Sequence, residues 1–278
     1  MRLQRRLPCG EAVPALGQGT WNLGDDPARR GEEIAALRQG LDLGLTLIDT
    51  AEMYGDGRAE QLVGEAIAGR RGEVFLVSKV YPHNASARAM PRSCEASLRR
   101  LGVETIDLYL LHWPGSVPLA ETVEAFEALR RAGKIRHFGV SNFDARAMQQ
   151  LWRTPGGQAA QANQVLYHLG ERGIEWDLLP WQREHALPVM AYSPFDQGRL
   201  LRHRALAACA QRHGLAPAQA ALAWLLAQDG VVAIPKSGSA ERVRQNAAAR
   251  DRPLPDGLRA ELDRLFAPPD GPTPLTML

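Results

Sequence analysis

The stretch LIDTAEMYG, residues 47–55, sets the terms for the whole chain. The apolar run Leu45-Thr46-Leu47-Ile48 has the composition of a short buried strand. It stops on a carboxylate, Asp49, and a phenol, Tyr54, follows in the next loop. A lone aspartate at a strand end is an ordinary turn or capping residue. A proton-transfer site is the sharper reading, and it requires other strands to end on complementary polar groups.

Similar runs recur: ALGQGTW (15–21), LTLID (45–49), VFLVSK (74–79), IDLYLLH (106–112), IRHFGVSN (135–142), the segment 160–164, PVMAYS (188–193) and VVAIPK (231–236). Amphipathic helical patterns lie between them. Ile34, Leu37 and Leu41 share one face, with Asp26-Pro27 as a start signal and Gly44 as a stop. Comparable faces close at Gly69, Gly102 and Gly133. Further helices are expected over 144–153, 173–185, 203–213, 217–228, 240–249 and 256–266. Most strand starts fall roughly 27–32 residues apart, the length of one βα unit. Eight such units close into a parallel (β/α)8 TIM barrel, of roughly 250 residues. The expected fold is α/β: that barrel, with a short N-terminal β-hairpin in RLPCGEAVPAL (6–16) and extra C-terminal helices. No linker or composition break divides the chain, so residues 1–278 read as a single domain. An open doubly wound sheet is the alternative. It needs a GxGxxG turn after its first strand, and GQGTWNLG (17–24) has its third glycine misplaced.

The bulk chemistry narrows the function. A formal charge of +2 gives no reason to expect a nucleic-acid partner. The arginine doublets, such as Arg5-Arg6 and Arg70-Arg71, are scattered, lie mostly near predicted helix ends and read as solvated faces. Cys9, Cys94 and Cys209 are far apart, odd in number and form no CxxC pair, which implies neither a disulfide framework nor a zinc cluster. A reducing cytoplasmic setting is expected. The basic N-terminus lacks an apolar core, so no secretory signal is expected. The longest apolar stretch, near Ala220–Ala227, is too short to span a bilayer, and no membrane partner is expected.

Chemistry on a barrel of this kind gathers at the C-terminal ends of its strands. The polar strand ends are Asp49 (with Tyr54 in the loop beyond), Lys79, His112 beside Trp113, Ser141-Asn142, Gln164, Tyr192-Ser193 and Lys236-Ser237. Each alone is weak. Together they converge on one mouth. A phenol near its ordinary pKa of about 10 is a poor acid at neutral pH. A lysine ammonium beside it favours phenolate, and an aspartate on the lysine's other side keeps the ammonium charged. The phenol can then protonate an alkoxide forming from a carbonyl, while a neutral histidine orients the carbonyl oxygen. No nucleophile–base pair argues for acyl transfer, and no HxH or clustered carboxylates argue for a metal. Protonating a carbonyl oxygen calls for a hydride donor. In IPKSGSAERVRQN (234–246), Lys236, Ser237 and Arg242 suit a phosphate monoester such as the 2′-phosphate of NADPH, which NAD lacks. The plain alternative is a strand followed by a basic surface helix.

These residues resemble the aldo-keto reductase family over nearly the whole chain. LIDTAEMYG resembles its segment with the catalytic Asp and Tyr, GKIRHFGVSNF (133–143) its fifth-strand signature, and IPKSGSAERVRQN its phosphate-binding signature. FLVSK and LYLLHWP supply the lysine and histidine. The resemblance implies a tetrad of Asp49, Tyr54, Lys79 and His112, with Tyr54 as proton donor. It implies that Ser141, Asn142 and Gln164 bind the nicotinamide carboxamide and that Tyr192 stacks on the ring. Ser193, Pro194 and Phe195 would begin the loop over the pyrophosphate. Lys236, Ser237 and Arg242 would hold the 2′-phosphate, and Gln245 and Asn246 would face the adenine. Gly19, Thr20 and Trp21 would lie under the cofactor, which Asp49 also borders. Trp21 and Trp113 would wall the substrate pocket beside Tyr54 and His112, although either tryptophan could simply fill space.

The chain departs from the family pattern before Asp49, at Ala59 and at Gln245, where many relatives have a carboxylate. The tail after Phe266, APPDGPTPLTML, is short and suggests an open pocket for small or varied carbonyls. The pattern is most similar to bacterial members that reduce methylglyoxal and similar aldehydes. The expected activity is NADPH-dependent, metal-independent reduction of a small-molecule carbonyl by a monomer. The alternative is an NADPH-binding regulatory or redox-sensing module with little turnover. An intact tetrad and the lack of a docking segment favour the enzyme.

Overall fold

The computed structural model describes residues 3–252 and 254–278. Strands β1 (Gln4–Arg6) and β2 (Ala12–Pro14) pair antiparallel, and Gly10 makes their turn with φ +88°, a conformation glycine adopts freely. Eight parallel strands follow in one sheet, in chain order. They are β3 (Gln18–Gly19), β4 (Leu47–Asp49), β5 (Phe75–Val80), β6 (Ile106–Leu111), β7 (Ile135–Ser141), β8 (Asn163–Leu166), β9 (Val189–Tyr192) and β10 (Val231–Ala233). The last strand meets the first. Gly17 N–H donates to Ala233 O at 2.9 Å, Ala233 N–H to Ala15 O at 2.9 Å, and Gly19 N–H to Pro235 O at 3.0 Å, which closes the barrel.

The outer helices are α1 (Arg30–Asp42), α2 (Arg58–Ile67), α3 (Met90–Leu101), α4 (Leu119–Arg131), α5 (Ala145–Arg153), α6 (Leu178–Glu184), α7 (Arg204–Arg212), α8 (Pro217–Leu226), α9 (Ala240–Ala249) and α10 (Asp256–Leu265). The expected barrel, hairpin and additional C-terminal helices are all present. One helix is shorter than its pattern: 173–185 splits into a 3-10 turn, Gly173–Glu175, and α6. Pro180 explains the late start, because proline lacks an N–H and is tolerated only in a helix's first turn.

Side-chain parity positions the site. Successive strand residues face opposite sides. Leu47, Phe75, Val77, Leu108, Leu110, Ala162, Met190, Val232 and Ile234 form the inner core, and Leu7 and Val13 of the hairpin region plug its base. Ile48, Leu76, Tyr109, Leu111, Val165 and Ala191 belong to the separate cluster between strands and helices. Two residues beyond Leu47, Val77, Leu110, Ala162, Met190 and Ile234 stand Asp49, Lys79, His112, Gln164, Tyr192 and Lys236. The alternation that buries the inner core also turns these polar groups toward one mouth.

Candidate active site

Lys79 lies at the centre, fully buried. Its Nζ donates to Asp49 Oδ2 at 2.8 Å, to Thr50 O at 2.9 Å and to the Tyr54 hydroxyl at 2.9 Å. Burial opposes its charge, but the Asp49 carboxylate and Tyr54 outweigh this and hold it above the ordinary lysine range. Asp49 is fixed from its other oxygen by Gln164 Nε2 at 2.8 Å, and its backbone carbonyl accepts from Thr20 Oγ1 at 2.9 Å.

Tyr54 behaves differently from the expectation that lysine would lower its pKa. Burial raises it, the Lys79 charge pulls it down, and burial wins. The phenol therefore keeps its proton through neutral pH. His112 packs edge-on to Tyr54, with ring centroids 5.9 Å apart. Burial, reinforced by the Lys79 charge, pushes His112 down to about 2, so the imidazole is neutral. Its Nδ1 is buried and unpartnered among the described residues.

A cavity of about 340 Å3 opens over these groups. Of the expected residues, Gly19, Thr20, Trp21, Asp49, Tyr54, His112, Trp113, Ser141, Asn142, Gln164, Tyr192, Ser193 and Lys236 all line it. Asn142 has φ +59°, a left-handed conformation that asparagine tolerates. Its Nδ2 donates to His112 O at 3.0 Å, and its Oδ1 accepts from the Tyr192 hydroxyl at 3.0 Å. Ser141 Oγ donates to Gln164 O at 2.8 Å. Pro194 and Phe195 continue from Ser193 into a tight turn outside the cavity lining.

The residues expected at the cofactor phosphate divide. Ser237 Oγ accepts from Ser239 N–H at 3.2 Å, just before α9. Arg242 is exposed on that helix. Gln245 turns to Glu241 on the outer face at 3.0 Å. Asn246 is buried beneath the loop, beside Ser237 and Gln18. Neither amide lines the cavity.

Met53, Ile234, Met277 and Leu278 line the cavity without having been singled out from sequence. Met53 lies inside the opening stretch, and Ile234 shares the inward parity of Lys236. The last two carry no periodic signal. The tail does not leave the pocket open: Met277 and Leu278 form part of its wall, and Leu278 N–H approaches the Tyr192 hydroxyl at 3.4 Å.

The residues present fit a nicotinamide dinucleotide phosphate. Amide and hydroxyl groups border the inner cavity, and Lys236 and Arg242 make no ion pair among the described residues. The described residues also bring Cys9, Glu11 and His137 together at the opposite end of the barrel, where Arg136 grips the Glu11 carboxylate at 2.8 and 2.9 Å. No described helix is long and apolar enough to cross a membrane.

Comparison with known proteins agrees with the fold. The profile of the Aldo/keto reductase family matches residues 15–266. The chain is 53% identical over 272 residues to methylglyoxal reductase YeaE of Escherichia coli (strain K12), covering 96% of each. It is similar to a crystal structure of an aldo/keto reductase from Klebsiella pneumoniae in complex with NADP and acetate, with a TM-score of 0.97, 53% identity and 100% of both chains covered. A Klebsiella pneumoniae structure in complex with NADPH, at 54% identity, gives the same TM-score of 0.97 over 100% of both chains.

Proposed function

The chain belongs to the aldo/keto reductase family, and on that premise we propose that it is an NADPH-dependent reductase of small carbonyl compounds, methylglyoxal among them. One observation carries the reading. A lysine ammonium has three hydrogens and no acceptor, and Lys79 directs them to Asp49, Thr50 O and Tyr54. The Tyr54 oxygen therefore accepts from Lys79, and its own hydrogen is free to point at the cavity.

From this follow the roles of the chain's groups. Tyr54 holds a proton at its hydroxyl and gives it to the carbonyl oxygen. Lys79 stays charged and stabilises the phenolate left behind. Asp49, held by Gln164, keeps Lys79 in place. Neutral His112 orients the carbonyl oxygen through Nε2, and a hydrogen on that nitrogen leaves only an acceptor unpaired at buried Nδ1. NADPH, when bound, supplies the hydride. Ser141, Asn142 and Gln164 would hold its carboxamide, Tyr192 would face its ring, and Lys236, Ser237 and Arg242 would take its 2′-phosphate. Trp21, Met53 and Trp113 would exclude water around the substrate.

Residues 1–278 are read as one working unit, which the span of the family match supports. The free cysteines suit a cytoplasmic setting, and we read the protein as a monomer. The test is NADPH oxidation with methylglyoxal and a benzaldehyde, with NADH as control. Turnover with an NADPH preference is expected. Tight NADPH binding without turnover on any carbonyl would favour a sensing role instead.

A further inference from the structure

The cation set at the cavity rim is larger than the sequence signature suggests. Closure of the barrel puts the β3–α1 loop beside the β10–α9 loop. Arg29 ends the 3-10 turn Pro27–Arg29, which Asp26 caps through Ala28 N–H at 3.0 Å. Its guanidinium lies over Gly238: a Cβ added there would stand 3.2 Å from Arg29 Nη2 and 3.0 Å from Glu33 Cγ. Glycine is what lets the phosphate loop come so close to Arg29.

Arg29 is paired only loosely where it stands. Its ion contacts among the described residues are Glu32 at 3.5 Å and Glu33 at 4.0 Å, both too long for a hydrogen bond. Glu33 is shared: its Oε1 faces Arg29, while its Oε2 accepts from Gly24 N–H at 2.8 Å. Lys236 feels the arrangement: burial lowers its pKa most, the Glu33 carboxylate then raises it, Arg29 and Arg242 lower it, and Asp25 raises it. The side chain nonetheless keeps much of its surface in solvent, so the shift marks only that Arg29, Arg242 and the Glu33 carboxylate are its neighbours. Ser239, the N-cap of α9, makes no side-chain capping bond, so the helix's first N–H groups lack that partner. Three cations crowd this rim beside the Glu33 carboxylate, and a multiply charged anion would relieve the repulsion that remains among them.

We propose that Arg29 is a third cationic ligand of the cofactor's 2′-phosphate, acting with Lys236 and Arg242 to set the preference for NADPH over NADH. The proposal rests on the cofactor site assigned above. It differs from a pyrophosphate contact, which both cofactors would share.

Equilibrium titration of protein fluorescence with NADPH and with NADH, without carbonyl, tests it. R29A should weaken NADPH about tenfold while changing NADH less than about twofold, the scale of one lost charge-assisted contact. Its NADPH affinity should also fall less steeply with salt than that of the wild type. Equal weakening of both cofactors, or an unchanged ratio, would overturn the proposal. K236A and R242A run beside it separate the two readings. If they lower the NADPH/NADH ratio and R29A does not, the phosphate site stands and Arg29 is excluded from it. If none of the three lowers the ratio, the phosphate site itself is misassigned.

Discussion

Asp49, Lys79 and His112 each end an apolar run; each alone is weak, but a barrel brings its strand ends to one mouth, so the three could be singled out in the sequence. The balance of forces on them could not. Lysine beside a phenol suggests an easier acid, yet burial outweighs the ammonium and leaves Tyr54 above its ordinary pKa. The rate of reduction should therefore show no loss from Tyr54 ionisation between pH 6 and 9, and kcat profiles over that range check it. His112 gives a prediction about stability. The unfolded chain takes up a proton there near pH 6.5, whereas the folded form resists until about 2. The stability contributed by the neutral ring is present above pH 6.5 and declines as pH falls toward 2. Well below pH 6.5 this one side chain should cost about 1.4 kcal/mol per pH unit. H112Q should remove that share of the slope in urea unfolding, leaving the smaller acid sensitivity of buried His168. A wild-type slope in H112Q would contradict this.

Elements were legible where period and stop signals agreed, and less so where tertiary contacts decided. The glycine inside β7 reads as a propensity defect, but it is a fit. A Cβ on Gly139 would meet Ala162 O at 2.6 Å and Leu110 Cδ2 at 2.8 Å. G139A should spread β7 from β8, cost about 1–3 kcal/mol in urea unfolding, and weaken NADPH binding if Ser141 and Gln164 hold the carboxamide as proposed. The arginines were similarly under-read. Arg5 is no mere solvated face: it donates to Leu226 O at 2.7 Å, Val231 O at 3.0 Å and Gln228 O at 3.1 Å. Arg172, outside any doublet, ties α10 to the barrel through Glu175 and Asp263, each at 2.8 Å, and Phe266 O at 2.6 Å, with its guanidinium over Trp224. R172M leaves Glu175 only its bond from the Tyr167 hydroxyl, takes the cation from half-exposed Asp263, and should destabilise the fold by about 1–3 kcal/mol. It should also change KM for the carbonyl more than for NADPH, because the tail that reaches the cavity starts at this anchor.

At the scale of the whole molecule, the repeat length of the βα units was enough to foresee a closed barrel, and strand parity was enough to foresee one mouth. The pocket's outer wall was not foreseeable, because Met277 and Leu278 arrive along a tail without periodicity and take their place only through tertiary contacts. The central claim joins all three scales: a buried Lys79, spent on three acceptors, leaves the Tyr54 proton for a carbonyl in the cavity. The most direct measurement is single-turnover reduction of methylglyoxal by Y54F beside the wild type, with the NADPH dissociation constant of each. The expected result is a rate lowered by about a hundredfold or more, with NADPH affinity within about twofold of wild type, since the hydroxyl makes no bond that the cofactor site needs. A Y54F rate close to wild type would contradict the claim.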